Sequence, residues 1–197
     1  MFRGIIAAIL ILTGCGETGG KIEISEIGLS MALPAGWVSE GLEKQDRREY
    51  IVKSQFYEPA KRDDNWGNVS LLPLVIATSA GQVIKNQPTL DEYVDNIIEQ
   101  NQGMEMMLKG LGRILEKIVP GEQKFGEEFQ SSVISKHPLT ISGFEAIEVV
   151  TKANYTIMEV YIGKDDKVIT ITFRALPEDF PKLEPSFRRA IESIKIK

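Results

Sequence analysis

The stretch FEAIEVVTKANYTIMEVYIGKDDKVITITFRA, residues 144–175, decides the fold. It holds three runs rich in β-branched and aromatic residues, 144–152, 155–163 and 167–175, with only short polar breaks between them. Residues of this kind fit a pleated, half-buried surface. Runs this close in sequence pair antiparallel, because a parallel pairing needs a crossover of about a dozen residues or more. The stretch is therefore read as a meander. QSSVISKHPLTI (130–141) leads into it through Ser142-Gly143, a turn signal.

Helical patterns flank the meander. On its C-terminal side, Pro185 suits the first turn of a helix, with Phe187, Ile191 and Ile194 toward the core. On its N-terminal side, GMEMMLKGLGRILEKIVPG (103–121) sets Met104, Met107, Leu108, Leu111, Ile114, Leu115, Ile118 and Val119 on one face. Glu105, Lys109, Arg113, Glu116 and Lys117 fall on the other, Met106 projects from that polar face, and Pro120-Gly121 ends the run. Gly110 and Gly112 each weaken this helix by about 1 kcal/mol relative to Ala. Before it, Thr89 and Glu92 have capping-box spacing, and Leu90, Tyr93, Val94, Ile97 and Ile98 form a stripe at helical period. Further upstream, VSLLPLVIAT (69–78) reads as a buried strand whose Pro73 implies an edge or a bulge. EPAKRDDNWGN (58–68) reads as a polar loop carrying Trp66, and REYIVKSQFY (48–57) as a strand. Ile22 and Ile24 alternate before Pro34-Ala35-Gly36, a turn signal ahead of Trp37. Strands with helices inserted and appended, and no regular alternation, imply an α+β fold.

Residues 1–14 have a different character. Arg3 opens an apolar run from Ile5 to Leu12, too short for the roughly 20 residues of a membrane-spanning helix. A basic start, a short apolar run and small residues have the build of a secretory signal. Leu12-Thr13-Gly14-Cys15 resembles the lipobox of bacterial lipoproteins, with cleavage expected between Gly14 and Cys15. The resemblance implies a diacylglyceryl group on the Cys15 thiol and fatty acid, such as palmitate, on its amine. Two or more chains hold stably where one holds only marginally. Residues 15–21 then read as the lipidated cysteine and a flexible tether. Cys15 is the only cysteine, so no intramolecular disulfide forms.

The remaining residues, about 180, make one domain, long enough to bury a core without disulfides or metals. Net charge is −5 and becomes −6 without Arg3. That sign opposes broad nucleic-acid binding, which needs clustered Lys and Arg, and opposes a polybasic grip on anionic lipid.

ALPAGWV (32–38), Gly143 before FEA, the sheet–helix–meander order and the closing SIKI together resemble the PsbP-like superfamily, and within it the bacterial lipoproteins related to DcrB. The resemblance covers residues 22–197. It implies an α+β domain with an antiparallel sheet and helices packed on one face. Residues 104–119 stand out as an added amphipathic helix. Members are mostly non-enzymatic interaction and assembly proteins, so no catalytic residue carries over.

The residues alone offer little chemistry. His137 is the only histidine, whereas a transition-metal site needs several His or Cys ligands. Asp63, Asp64 and Asn65 lack the spacing and closing Glu of a calcium loop. No metal site, cofactor or catalytic set is expected. Trp66 and Met106 are the candidate partner surface, since exposed indoles and methionines suit interfaces. The expectation is a bacterial cell-envelope lipoprotein, anchored through lipid on Cys15, that engages a protein partner without catalysis. A binding protein for a small apolar ligand or metal is the alternative; a secretion-chaperone-like protein that shields apolar helices is more remote.

Overall fold

The computed structural model describes residues 20–40, 51–77, 83–118 and 131–197, and the side chains of all of these except 51–53, 77, 104, 105 and 107–118. Leu12, Thr13, Gly14 and Cys15, with the signal segment they close, lie outside the described residues, as does the helix stop at Pro120-Gly121.

The expected meander is present as β9 (Phe144–Lys152), β10 (Thr156–Lys164) and β11 (Lys167–Ala175), preceded by β8 (Ser132–Ile141). Each pairs antiparallel with the next, from His137 opposite Glu148 to Lys164 opposite Lys167. Ser142 and Gly143 join β8 to β9 with φ of 51° and 86°. Positive φ at both central residues of a two-residue loop suits the right-handed twist of a hairpin. The sheet continues past β11 through β5 (Trp66–Pro73), β4 (Ile51–Tyr57) and β3 (Val38–Glu40), seven strands in the order β3-β4-β5-β11-β10-β9-β8. A smaller sheet joins β1 (Lys21–Ile24), β2 (Leu29–Ala32) and β12 (Lys195–Ile196), and β6 (Val75–Ala77) pairs with β7 (Val83–Asn86). Because β1 starts at Lys21 and the Gly20 carbonyl accepts from Leu33 N at 2.6 Å, the last residues of the expected tether belong to the fold.

Two helices complete the domain, α1 (Leu90–Ile118) and α2 (Phe180–Glu192). Thr89 and Glu92 form the reciprocal capping box: Thr89 N donates to Glu92 Oε2 at 2.9 Å, and Glu92 N donates to Thr89 Oγ1 at 3.2 Å. The second helical pattern is the continuation of α1, because an exposed glycine at 103 costs a helix only about 1 kcal/mol and does not stop it. α2 begins five residues before Pro185, which sits exposed inside it.

The α+β class and the antiparallel sheet agree with expectation, but the two helices are not on one face. Side chains alternate along a strand. Ala146, Val150, Met158, Val160, Ile162, Ile171 and Phe173 are buried with Phe187, Ala190 and Ile191 of α2 and with Ile22, Leu29 and Met31 of the small sheet. The alternate residues Ile147, Val149, Tyr161 and Val168 are buried with Leu90, Tyr93 and Val94 of α1. Each helix therefore closes one side of the large sheet. No helix among the described residues is long and apolar enough to cross a membrane.

Candidate interaction surface

Trp66 opens strand β5 rather than lying in a loop. The local cause is Gly67, next to it. A Cβ at that position would lie 2.2 Å from the Thr172 carbonyl oxygen and 2.3 Å from the Phe56 ring. Glycine here lets Phe56 and Phe173 meet across β5, with ring centroids 5.4 Å apart. Gly67 thus serves the core on the α2 side, and Trp66, one residue earlier, turns to the α1 side. The preceding turn is fixed from within. Asn65 is buried, donates to Glu58 Oε2 at 2.6 Å and to Asp179 Oδ2 at 3.3 Å, and accepts from Leu176 N at 3.3 Å. Lys61 donates to Asp179 and holds that carboxyl below its ordinary range. Asn65 is thereby used as a tie between this turn and the start of α2. Among the described residues, no group of three His, Cys, Asp or Glu side chains could hold a metal ion.

Register places Tyr57, Trp66 and Arg174 side by side across β4, β5 and β11. The Arg174 guanidinium lies 3.3 Å from the centroid of the Tyr155 ring and 5.3 Å from that of Trp66. The rings come from opposite sides, since β11 runs between β5 and β10. Arg62 stands 4.7 Å over Tyr57 and is paired to Glu40 at 2.6 Å, and the Tyr57 hydroxyl donates to Glu40 at 3.1 Å. The result is a ladder of two cations and three rings, Arg62–Tyr57–Trp66–Arg174–Tyr155, at one end of the sheet. Cation–π contacts of this kind contribute about 0.5–1 kcal/mol at exposed sites and more when desolvated. Tyr57, Trp66, Arg174 and Tyr155 are each half-buried.

Two residues further along these strands the face turns polar. Gln55, Asn68, Thr172 and Glu159 form one row, with Ser70, Thr170 and Tyr161 in the next. Glu159 accepts from the Tyr161 hydroxyl at 2.9 Å, and burial pushes its carboxyl above the ordinary value. Tyr93 of α1 approaches this row, its hydroxyl pushed up to about 12 by burial and then by Glu159.

The two residues named from sequence fall differently. Trp66 is a rung of the ladder. Met106, on α1, is not part of it and is 70% exposed. Sequence reading missed Arg174, Tyr155, Tyr57 and Arg62, because their meeting depends on strand register. The one available signal was the spacing of two between Trp66, Asn68 and Ser70 and between Arg174, Thr172 and Thr170. On the other face, a cleft of about 290 Å³ opens between the β8–β9 edge and α2, lined by His137, Leu139, Glu148, Arg188, Ile191 and Glu192. Arg188 spans Glu184 at 2.7 Å and the buried Glu148 at 3.2 Å.

Among solved structures, the chain superposes on cyanobacterial PsbP (CyanoP) of Synechocystis sp. PCC 6803 with a TM-score of 0.52 and 11% identity, covering 93% of this chain and 96% of that one. It superposes on the Ran-binding protein Mog1p of Saccharomyces cerevisiae with a TM-score of 0.51 and 10% identity, covering 92% and 96%. LpqN, involved in cell envelope biogenesis of Mycobacterium tuberculosis, overlays at a TM-score of 0.44 and 15% identity over 93% and 87%; nothing further rests on so loose a match. No protein-family model matches the chain, and no curated protein matches it in sequence. Identities this low carry fold alone, and the fold is that of the PsbP-like α+β proteins.

Proposed function

We propose that this protein is a bacterial lipoprotein, held at the cell envelope by lipid on Cys15, whose folded domain binds a protein partner without catalysing a reaction. The observation that carries the reading is the ladder: an arginine held between Trp66 and Tyr155, with Tyr57 beside them, on a half-buried sheet face. Trp, Tyr and Arg are the residues that dominate binding energy at protein interfaces, because each offers large area or several hydrogen bonds at low ordering cost. Met106 adds an adaptable apolar side chain at 70% exposure. Anchoring by two or more acyl chains is stable, and it would keep this surface at the membrane.

The test is a comparison of full-length, lipidated protein from gently solubilised membranes with a variant carrying Trp66→Ser and Met106→Gln. The expected result is a near-stoichiometric companion protein with the natural chain, reduced at least tenfold with the variant, at a thermal midpoint close to that of the natural chain. An equal yield of companion with both proteins would remove this surface. A small-ligand role has one observation in its favour, the cleft beside α2. Four of its six lining residues are ionisable, which suits a polar ligand better than an apolar one.

A further inference from the structure

Among the described residues, Arg174 is the rung whose charge has no carboxylate beside it. Arg62 is neutralised by Glu40, and Arg188 by Glu148 and Glu184. Among the described residues, Arg174 has no carboxylate partner and makes no hydrogen bond; its contacts are the two rings. Its Nε is sealed from solvent with nothing to donate to, whereas its two terminal nitrogens are not sealed. This occurs in a protein of net charge −5 with 28 acidic residues, where an internal partner could readily have been supplied.

The stacking decides what such a group can bind. With the Tyr155 ring centroid 3.3 Å and the Trp66 ring centroid 5.3 Å away, on either side of β11, the guanidinium is flanked by two rings. The terminal nitrogens are left for a ligand, and paired N–H···O bonds from a guanidinium are the geometry that a carboxylate takes. The flanking rings hold the fork in place before binding and so reduce the ordering cost of the contact. They also lower the local dielectric, which strengthens a charge-assisted bond. An isolated fork between rings, in a chain of net charge −5, matches a single carboxylate set in a peptide. A polyanion such as nucleic acid would instead meet the chain's net charge of −5.

We infer that Arg174, held between Trp66 and Tyr155, is a binding site for one carboxylate of a protein partner, an Asp or Glu side chain or a chain terminus. The inference rests on the interaction-surface reading above and names the chemistry of that partner.

Peptides selected from a random display library on the full-length protein in detergent provide the probe. Each selected peptide is made again with its acidic residues replaced by Asn or Gln. Binding of both forms is measured to the natural protein and to Arg174→Met, Arg174→Lys and Trp66→Ser. The expected result is that selected peptides carry an acid in common, and that removing the acid or Arg174 weakens binding at least tenfold. The two losses should not add, since both delete one interaction. Arg174→Lys, which keeps the charge and loses the fork, should fall between. Should Arg174→Met fail to fold, judged by its melting curve, the lysine variant and the acid-free peptides provide the same comparison. Peptides without a common acid, independent losses, or no selected peptides would overturn the inference. If Trp66→Ser weakens binding while Arg174→Met does not, the carboxylate site falls and the surface stands; if neither does, both fall.

Discussion

At Gly67, one added methyl group would have to displace the Phe56 ring or the backbone of β11, since its nearest neighbours would be 2.3 Å and 2.2 Å away. Gly67→Ala should therefore destabilise the domain by about 3 kcal/mol, toward the upper end of overpacking costs, as read from urea melts. Trp66 should lose its place as well, because β5 would shift. That link between glycine and tryptophan was hidden in the sequence. Asp63-Asp64-Asn65-Trp66-Gly67-Asn68 has the composition of a turn, and nothing local says that a distant phenylalanine needs the space over Gly67. Glu159 makes the second prediction at this scale. Burial raises its carboxyl above the ordinary value, with the Tyr161 and Thr172 hydroxyls opposing that shift. The folded chain thus holds this proton more tightly than the unfolded chain. Its stabilising contribution is complete below the unfolded value of about 4.3 and is lost as pH rises through the raised value. Glu159→Gln keeps an acceptor for Tyr161 and has no charge to bury. The variant should match the natural protein near pH 4 and melt higher at pH 8; a difference independent of pH would refute this account.

Among the elements, those with strong local signals were legible: the meander from its β-branched runs, the start of α1 from Thr89 and Glu92, and the core face of α2 from Phe187 and Ile191, with Ile194 buried just past its end. What was not legible is which side of the sheet each helix takes. β9 is buried from Ala146 through Val150, and a strand buried on both faces reads as a continuous apolar run without alternation. Pro73 illustrates a related limit. Its strand is central; among the described residues, Pro73 pairs with Lys167 of β11, and the last β4 pairing is at Leu71. The edge position that Pro73 implied is thus not found: its strand lies between β4 and β11. α2 is joined to the sheet mainly through Phe187, which stacks on Phe173 at 4.8 Å and meets Trp37 at 5.4 Å and Phe180 at 6.0 Å. Phe187→Ala should cost about 3–5 kcal/mol. Tryptophan fluorescence should report it, since Trp37 is buried against the ring that is removed. An unchanged midpoint would mean that α2 is held by its ion pairs instead.

In the molecule as a whole, the large sheet separates two environments. The α2 side is a closed core of aromatic and aliphatic side chains shared with the small sheet. The α1 side combines an apolar patch under the helix with polar and aromatic rows beyond it. This face carries Trp66, Arg174 and Tyr155 half-buried, where residues of similar size on the opposite face, Phe56 and Phe173, are fully buried, and this contrast supports the proposed partner surface. Only Trp66 of this group was named from sequence, because a surface assembled from separate strands and loops has no local motif; strand register and the turns beside it bring it together. The most direct measurement is photo-crosslinking in cells of the full-length protein, with a benzophenone amino acid in place of Gln55, which is exposed beside the ladder, or of Glu192, exposed on α2. The account predicts a discrete adduct with one protein from position 55, lost when Trp66 is replaced by Ser, and none from position 192. No adduct at position 55, or the same adduct from both positions, would contradict it.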